Sequence, residues 1–177
     1  MRPIAYLAAA TLLVSAAISP IHAGQPRLEI LVGLHNAQGE QIGNVTLLEE
    51  EASGVLIRGK VSKLPPGRHA FHIHAVGKCE PPDFLSAGAH FNPLGKQHGT
   101  KNSAGPHAGD LPHVVVGPDG DAEVNVVAPH VSLGAGPQTL VITGGTALVI
   151  HAEPDDDSTD PDGNSGARIA CGVITKK

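Results

Sequence analysis

Apolar and polar residues alternate in short runs along most of the chain. "RLEILVGLH" leads into "NAQGE", "GNVTLLEE" into "EASG", "GVLIRGKVSKL" into "PPG", and "RHAFHIHAVG" follows. After a long gap come "HVVVG" with "PDGD", then "AEVNVVAP", "QTLVITGG", "TALVIHAE" and "ARIACGVIT". Runs of this length, rich in Val, Ile and Leu and closed by Gly, Pro, Asn or Asp, are the pattern of strands joined by turns. Beyond the N-terminal segment nothing keeps a 3.6-residue apolar period over three turns. The pattern predicts an all-β domain, a sandwich or barrel of about eight strands.

Two segments break the rhythm. Residues 75–112 hold Gly, Pro, His and Lys with little alternation, and residues 152–166, "AEPDDDSTDPDGNSG", are acidic and rich in turn formers. Long irregular loops in a small domain are uncommon and usually carry function. Something must hold them down, and metal plus disulfide is the expected means.

The N-terminus has its own pattern. "MRPIAYLAAATLLVSAAISPIHAGQ" carries Arg2, an apolar stretch from Ile4 to Ile18, and small residues around Ala23. That layout predicts a secretory signal peptide over residues 1–23, cleaved near Ala23, with the functional domain over 24–177. The apolar stretch is shorter than the ~20 residues a spanning helix needs, so no membrane attachment is expected once the signal is gone. Export to a periplasm or to the medium follows. The net charge of −5 over 177 residues, with no basic run, argues against nucleic acid and anionic membranes as partners. Phe71, Phe84 and Phe91 are the only aromatic rings of Phe, Tyr or Trp type after the signal, so the core must be aliphatic. Cys79 and Cys171, an even pair in an exported chain, read as one disulfide. It would close a loop of about 93 residues, worth roughly 4–5 kcal/mol in the chain-entropy model.

The chemistry lies in the histidines. In "HAFHIHAVGKCE" a strand puts Phe71 and Ile73 on one face and His72 and His74 on the other. The first long loop holds His90, His98, His107 and Asp110 with the spacing H-x7-H-x8-H-x2-D. Three imidazoles and a carboxylate complete a four-coordinate zinc set with no position left for water, which argues against a zinc hydrolase. His72, His74 and His151 offer three more nitrogens, a set that suits copper, and His90 could give a fourth if its second ring nitrogen faces copper while its first faces zinc.

These residues resemble the copper–zinc superoxide dismutase family from about Arg27 to Lys177. The likeness rests on "FHIHAVGKC", "GAHFNP", "KQHG", "PHAGDLP", "LVIHA" and "GARIACGVI", in family order. It implies an eight-stranded antiparallel Greek-key sandwich or barrel, with copper held by His72, His74, His90 and His151. Zinc would be held by His90, His98, His107 and Asp110. It implies that Cys79 and Cys171 tie the zinc loop to the last strand. Asp155 would link His72 to His98 by hydrogen bonds and fix their rings. The activity implied is disproportionation of superoxide to dioxygen and hydrogen peroxide, with Arg168 holding the anion and His90 passing on a proton. A salt bridge from Arg168 to the acidic loop is the plainer role for that side chain. A non-catalytic relative that binds metal or hands copper on is the alternative, though such relatives lose ligands or the arginine and this chain keeps them all. The likeness leaves oligomeric state open, a homodimer included.

One departure concerns charge. Between Ala152 and Arg168 lie six acids (Glu153, Asp155, Asp156, Asp157, Asp160, Asp162) and no lysine, where the family focuses anions toward copper. Either Lys96 or Lys101 lines the approach or steering is weak. His35, His69, His113 and His130 have no role in this scheme and are expected to be solvated or in turns.

Overall fold

Alternation decides which side of each strand turns inward, and the first three strands follow it closely. In the computed structural model, which describes residues 28–50 and 53–176, β1 (Glu29–Asn36), β2 (Gln41–Glu50) and β3 (Gly54–Val61) form an antiparallel meander. Val32, Leu34, Val45, Leu47, Val55 and Ile57 point into the core from it. The N-terminal segment read as an export signal lies outside the described residues.

The chain then crosses to β4 (Gly67–His74), and after the first long loop β5 (Asp110–Val116) pairs beside it. β6 (Ala122–Ala128) returns to pair with β3. β7 (Thr146–His151) inserts between β4 and β8 (Arg168–Ile174). The resulting order is β5-β4-β7-β8-β1-β2-β3-β6, and its two ends lie against each other. This is a nearly closed antiparallel barrel with Greek-key crossings. The only helical piece among the described residues is a 3₁₀ turn at Leu85–Ala87, and no helix there is long and apolar enough to cross a membrane.

β4 and β7 break the one-face-wet rule. From His69 to His74, and all along β7, every residue is buried. Inward, Phe71, Ile73, Leu148 and Ile150 join the aliphatic core; outward, Ala147, Val149 and Cys171 pack under the first loop with Phe84 and Ala87. Fully burying a side chain of the Leu or Ile kind is worth about 1.5–3 kcal/mol. This second cluster therefore gives a loop without its own core something to rest on. The Cys79–Cys171 disulfide is formed, joining that loop to β8 across 92 residues.

"QTLVITGG" is not a strand. Only Leu140 of that run reaches the core, and the segment makes a single bridge, Ser132 to Thr139. Gly136 and the Gly144–Gly145 pair take positive φ at its two ends, so the chain turns before a ladder can extend. Leu140 is held as a plug instead: its N–H donates to Ser132 O, and its own carbonyl accepts from the Thr146 hydroxyl. Asp110, read as a loop residue, opens β5 and pairs in register with His72.

Candidate metal centre

Register brings the chemical side chains together on the outer face of β4 and β7. His72 lies opposite Val149 and His74 opposite Ala147 on one side, while His72 faces Asp110 on the other. His151 ends β7, and the β7–β8 register, shifted by an irregularity there, sets Arg168 across from it. His90 comes from the loop and is fastened to the same strand. Phe91 N–H donates to Ile73 O at 2.7 Å, and Ile73 N–H donates to Gly109 O at 2.9 Å. A side chain at Gly109 would collide with the Ile73 carbonyl, so only glycine permits this approach.

Two groups of donor atoms result. The ligand atoms of His72, His74, His90 and His151 lie within 4.8 Å of one another, all in buried residues. In each ring the nitrogen turned away from the group is engaged. His72 Nε2–H donates to Asp155 Oδ2 at 2.6 Å and His74 Nδ1–H to Gly88 O at 2.9 Å. His151 Nδ1 meets Ser165 Oγ at 3.1 Å and Gly166 O at 3.3 Å. The remaining nitrogens are bare. His74 Nε2 and His151 Nε2 stand 3.3 Å apart, and His72 Nδ1 and His90 Nε2 are buried with no hydrogen-bond partner. Leaving such groups unmet costs about 1–3 kcal/mol each, which a bound cation removes.

In the second group, Asp110 Oδ1 lies 3.1 Å from His90 Nδ1, 3.1 Å from His98 Nδ1 and 3.4 Å from His107 Nδ1. His107 Nδ1 is 3.4 Å from His90 Nδ1. Tetrahedral zinc with bonds of about 2.0–2.1 Å needs ligand atoms roughly 3.3–3.4 Å apart, which these four separations approach, although the cluster whose ligand atoms all lie within 4.8 Å of one another leaves out His107. His72 also comes within 4.8 Å of His90, His98 and Asp110, but its Nε2 is committed to Asp155. Asp110 Oδ2 accepts from Gly99 N–H and His107 N–H, each at 2.9 Å, which orients the carboxylate. His90 thus presents one nitrogen to each group.

Asp155 spans the two. Its Oδ1 accepts from His98 Nε2–H at 2.9 Å while its Oδ2 takes His72. Electrostatics separate the groups. Burial lowers the pKa of His72 to about 4, of His151 to about 3 and of His74 to about 2, so these rings are neutral and free to ligate at pH 7. Burial opposes charge on His98 too, but the Asp110 and Asp155 carboxylates overcome it and raise its pKa to about 10. Both carboxylates are held well below the usual range despite burial, by their hydrogen bonds to imidazoles.

Arg168 has no ion-pair partner among the described residues. Its Nη1–H donates to Phe84 O at 2.8 Å and its Nη2–H to Gly88 O at 2.7 Å, in place of a bridge to the acidic loop. It lines a cavity of about 770 Å³ with His74, His90 and His151. Asp83 and Asp162 line the same cavity, but Lys96 and Lys101 do not. Lys101 pairs with Asp157 at 3.1 Å.

Two histidines set aside on sequence grounds have defined places. His69 is buried, its Nδ1 2.8 Å from His151 O and its Nε2 2.8 Å from Pro65 O. The signal was available: positions 69, 71 and 73 share the inward parity of the strand. His113 contacts Asp155, and nothing in the sequence pattern pointed to that.

Sequence and fold are both similar to known proteins. The family model described as copper/zinc superoxide dismutase (SODC) matches residues 41–174. Superoxide dismutase [Cu-Zn] 1 of Aquifex aeolicus is 52% identical over 141 residues, 78% of this chain and 83% of that protein. Superoxide dismutase [Cu-Zn] 2 of the same organism is 49% identical over 170 residues, 95% of each. The crystal structure of a SOD-like protein from Bacillus subtilis superposes with a TM-score of 0.79 at 42% identity, covering 81% of this chain and 97% of that one. The chain belongs to the copper/zinc superoxide dismutase family.

Proposed function

We propose that this chain is a superoxide dismutase, with copper at His72, His74, His90 and His151 and zinc at His90, His98, His107 and Asp110. The observation that carries the reading is the His90 ring, buried between two donor groups with Nδ1 facing one and an unpartnered Nε2 facing the other. Membership in the family makes copper and zinc the expected cofactors.

In the reaction, one superoxide is oxidised to dioxygen; another takes that electron and two protons to become hydrogen peroxide. Copper, when bound, supplies the one-electron couple, and zinc has no redox chemistry. The protein supplies the rest. The Arg168 guanidinium, held by two loop carbonyls, gives a small anion a fixed cationic anchor beside His74, His90 and His151. His90 Nε2, buried beside Arg168's cavity and without a hydrogen-bond partner, is the nitrogen placed to carry one of the two protons. His98, Asp110 and Asp155 orient the rings. The disulfide suits an oxidising compartment, so the protein is read as exported, to a periplasm or the medium, after cleavage near Ala23.

Metal analysis beside a superoxide-consumption assay, with and without added copper, tests this. One copper and one zinc per chain are expected, with dismutation lost in His72→Ala while the fold persists. A chain that binds zinc alone when offered copper, or that carries both metals without consuming superoxide, overturns it.

A further inference from the structure

His113 and Arg68 stand outside both donor groups, yet they reach the residue that joins them. His113 projects from β5 three positions after Asp110 and is half-buried. Its Nε2 lies 2.9 Å from Asp155 N and 3.1 Å from Asp155 O, and its Nδ1 lies 3.1 Å from Nη2 of Arg68 on β4. In either neutral tautomer the ring grips the Asp155 peptide. Bare, Nε2 accepts from the N–H; protonated, it donates to the carbonyl. A guanidinium only donates, so the Arg68 contact calls for Nδ1 accepting and Nε2–H donating to the carbonyl, whereas the Asp155 N–H contact takes Nε2 as acceptor; the ring serves one of the two at a time.

The neighbouring contacts say why such a grip matters. The acidic loop has no core of its own and is bonded mostly to itself, through Ala152 N–H to Ala167 O, Glu153 N–H to Ser165 O and Asp156 N–H to Gly163 O. Ala70 N–H donates to Glu153 O. Beyond that, among the described residues, the Asp155 backbone meets the barrel only through His113. The two carboxylate oxygens of Asp155 must reach His72 and His98 at once, so drift of its backbone would loosen one or both.

We infer that Arg68 and His113 form a strut from β4 and β5 that fixes the Asp155 backbone, making His113 a positioning residue for the two-metal centre. The identity of the metals rests on the dismutase reading; the strut itself acts on ring orientation. A partner outside the ligands typically changes metal affinity 10–100-fold, and one acting through such a partner belongs at the low end.

The test compares the metal-loaded wild type with His113→Ala, His113→Gln and Arg68→Ala. It reads the rate of zinc release to a chelator, the Cu(II) absorption and electron paramagnetic resonance spectra, and melting of the metal-free protein. His113→Ala is expected to release zinc about tenfold faster and to shift the Cu(II) spectrum, while the metal-free melting point moves little. His113→Gln, whose amide can donate to the same carbonyl, should restore both, and Arg68→Ala should give a smaller change of the same kind. Equal zinc release and unchanged spectra in His113→Ala, or a glutamine variant that behaves like alanine, overturn the strut. A wild type that takes up zinc but no copper fails the dismutase reading instead, and zinc release alone then decides the strut.

Discussion

Arg168 and His74 are joined through one oxygen. The Gly88 carbonyl accepts from the Arg168 guanidinium at 2.7 Å and from His74 Nδ1–H at 2.9 Å. Gly88 holds this carbonyl in place with φ 74°, a conformation suited to glycine. The anion anchor and a ring of the copper-side group therefore share a fixed reference point. Replacing Arg168 with Ala is expected to lower the superoxide rate by about tenfold or more, as for loss of a charged hydrogen-bonding partner, at unchanged copper content. Lysine should restore only part, because it lacks the planar fork that spans Phe84 O and Gly88 O. Rate and bound copper measured together check this.

The cavity sets Asp83 and Asp162 against Arg168 as its only lysine or arginine, so weak long-range attraction of anions is expected. The superoxide rate should fall less than about twofold as ionic strength rises from about 0.01 M to 0.15 M, a range over which exposed charges become screened. Asp162→Lys should raise the low-salt rate and introduce a steep salt dependence. Pulse radiolysis across a salt series reads both.

Acid should loosen the metal-free protein early. Unfolded imidazoles take up protons as pH falls through about 6.5, whereas the buried rings of His72 and His151 resist until about 4 and about 3. The unfolded state binds more protons across that interval, so stability drops as pH is lowered from 6.5 toward 4. Melting temperatures of metal-free protein should decline through this window. In protein loaded with both metals the decline should begin at lower pH, because ligation competes with protons.

Zinc loading should release a proton. His98 is protonated near neutrality, its pKa raised to about 10 by Asp110 and Asp155 against the effect of burial, and ligation requires its neutral form. Adding zinc to metal-free protein at pH 7.5 in weak buffer should liberate about one proton per site. In His98→Asn the release should vanish. A pH indicator dye in a stopped-flow mixer follows it.

Opening the Cys79–Cys171 link should cost stability of about 2–5 kcal/mol, read by denaturant unfolding of metal-free Cys79→Ser/Cys171→Ser protein. Because the link anchors the loop that carries His90, zinc release should also quicken.

Much of this was legible in the chain. The strands with one wet face show the alternation that such a face demands, and β4, buried on both faces from His69 to His74, betrayed itself by placing Phe71 and Ile73 opposite His72 and His74. The donor residues were legible as a set because so many imidazoles sit in segments with no core to explain them. Legibility failed where tertiary contact overrides local pattern. "QTLVITGG" alternates, but glycines with positive φ turn the chain at both ends and leave Leu140 as a lone plug. The carbonyl partners of Arg168 belong to a loop 80 and 84 residues away, and no spacing rule reaches that far. The contact of His113 with Asp155 likewise joins a strand to a loop whose path the sequence does not specify.

β4 is buried on both faces, with aliphatic side chains toward one and imidazoles toward the other, and its Ile73 peptide also clasps the segments carrying His90 and Asp110. Interior volume and site geometry are therefore tuned by the same six residues, His69 to His74. A methyl group trimmed from Ile73 would be felt as a misaimed ring as much as a looser barrel. By contrast, the β1–β3 meander gives one face to the core and contributes no residue to either donor group.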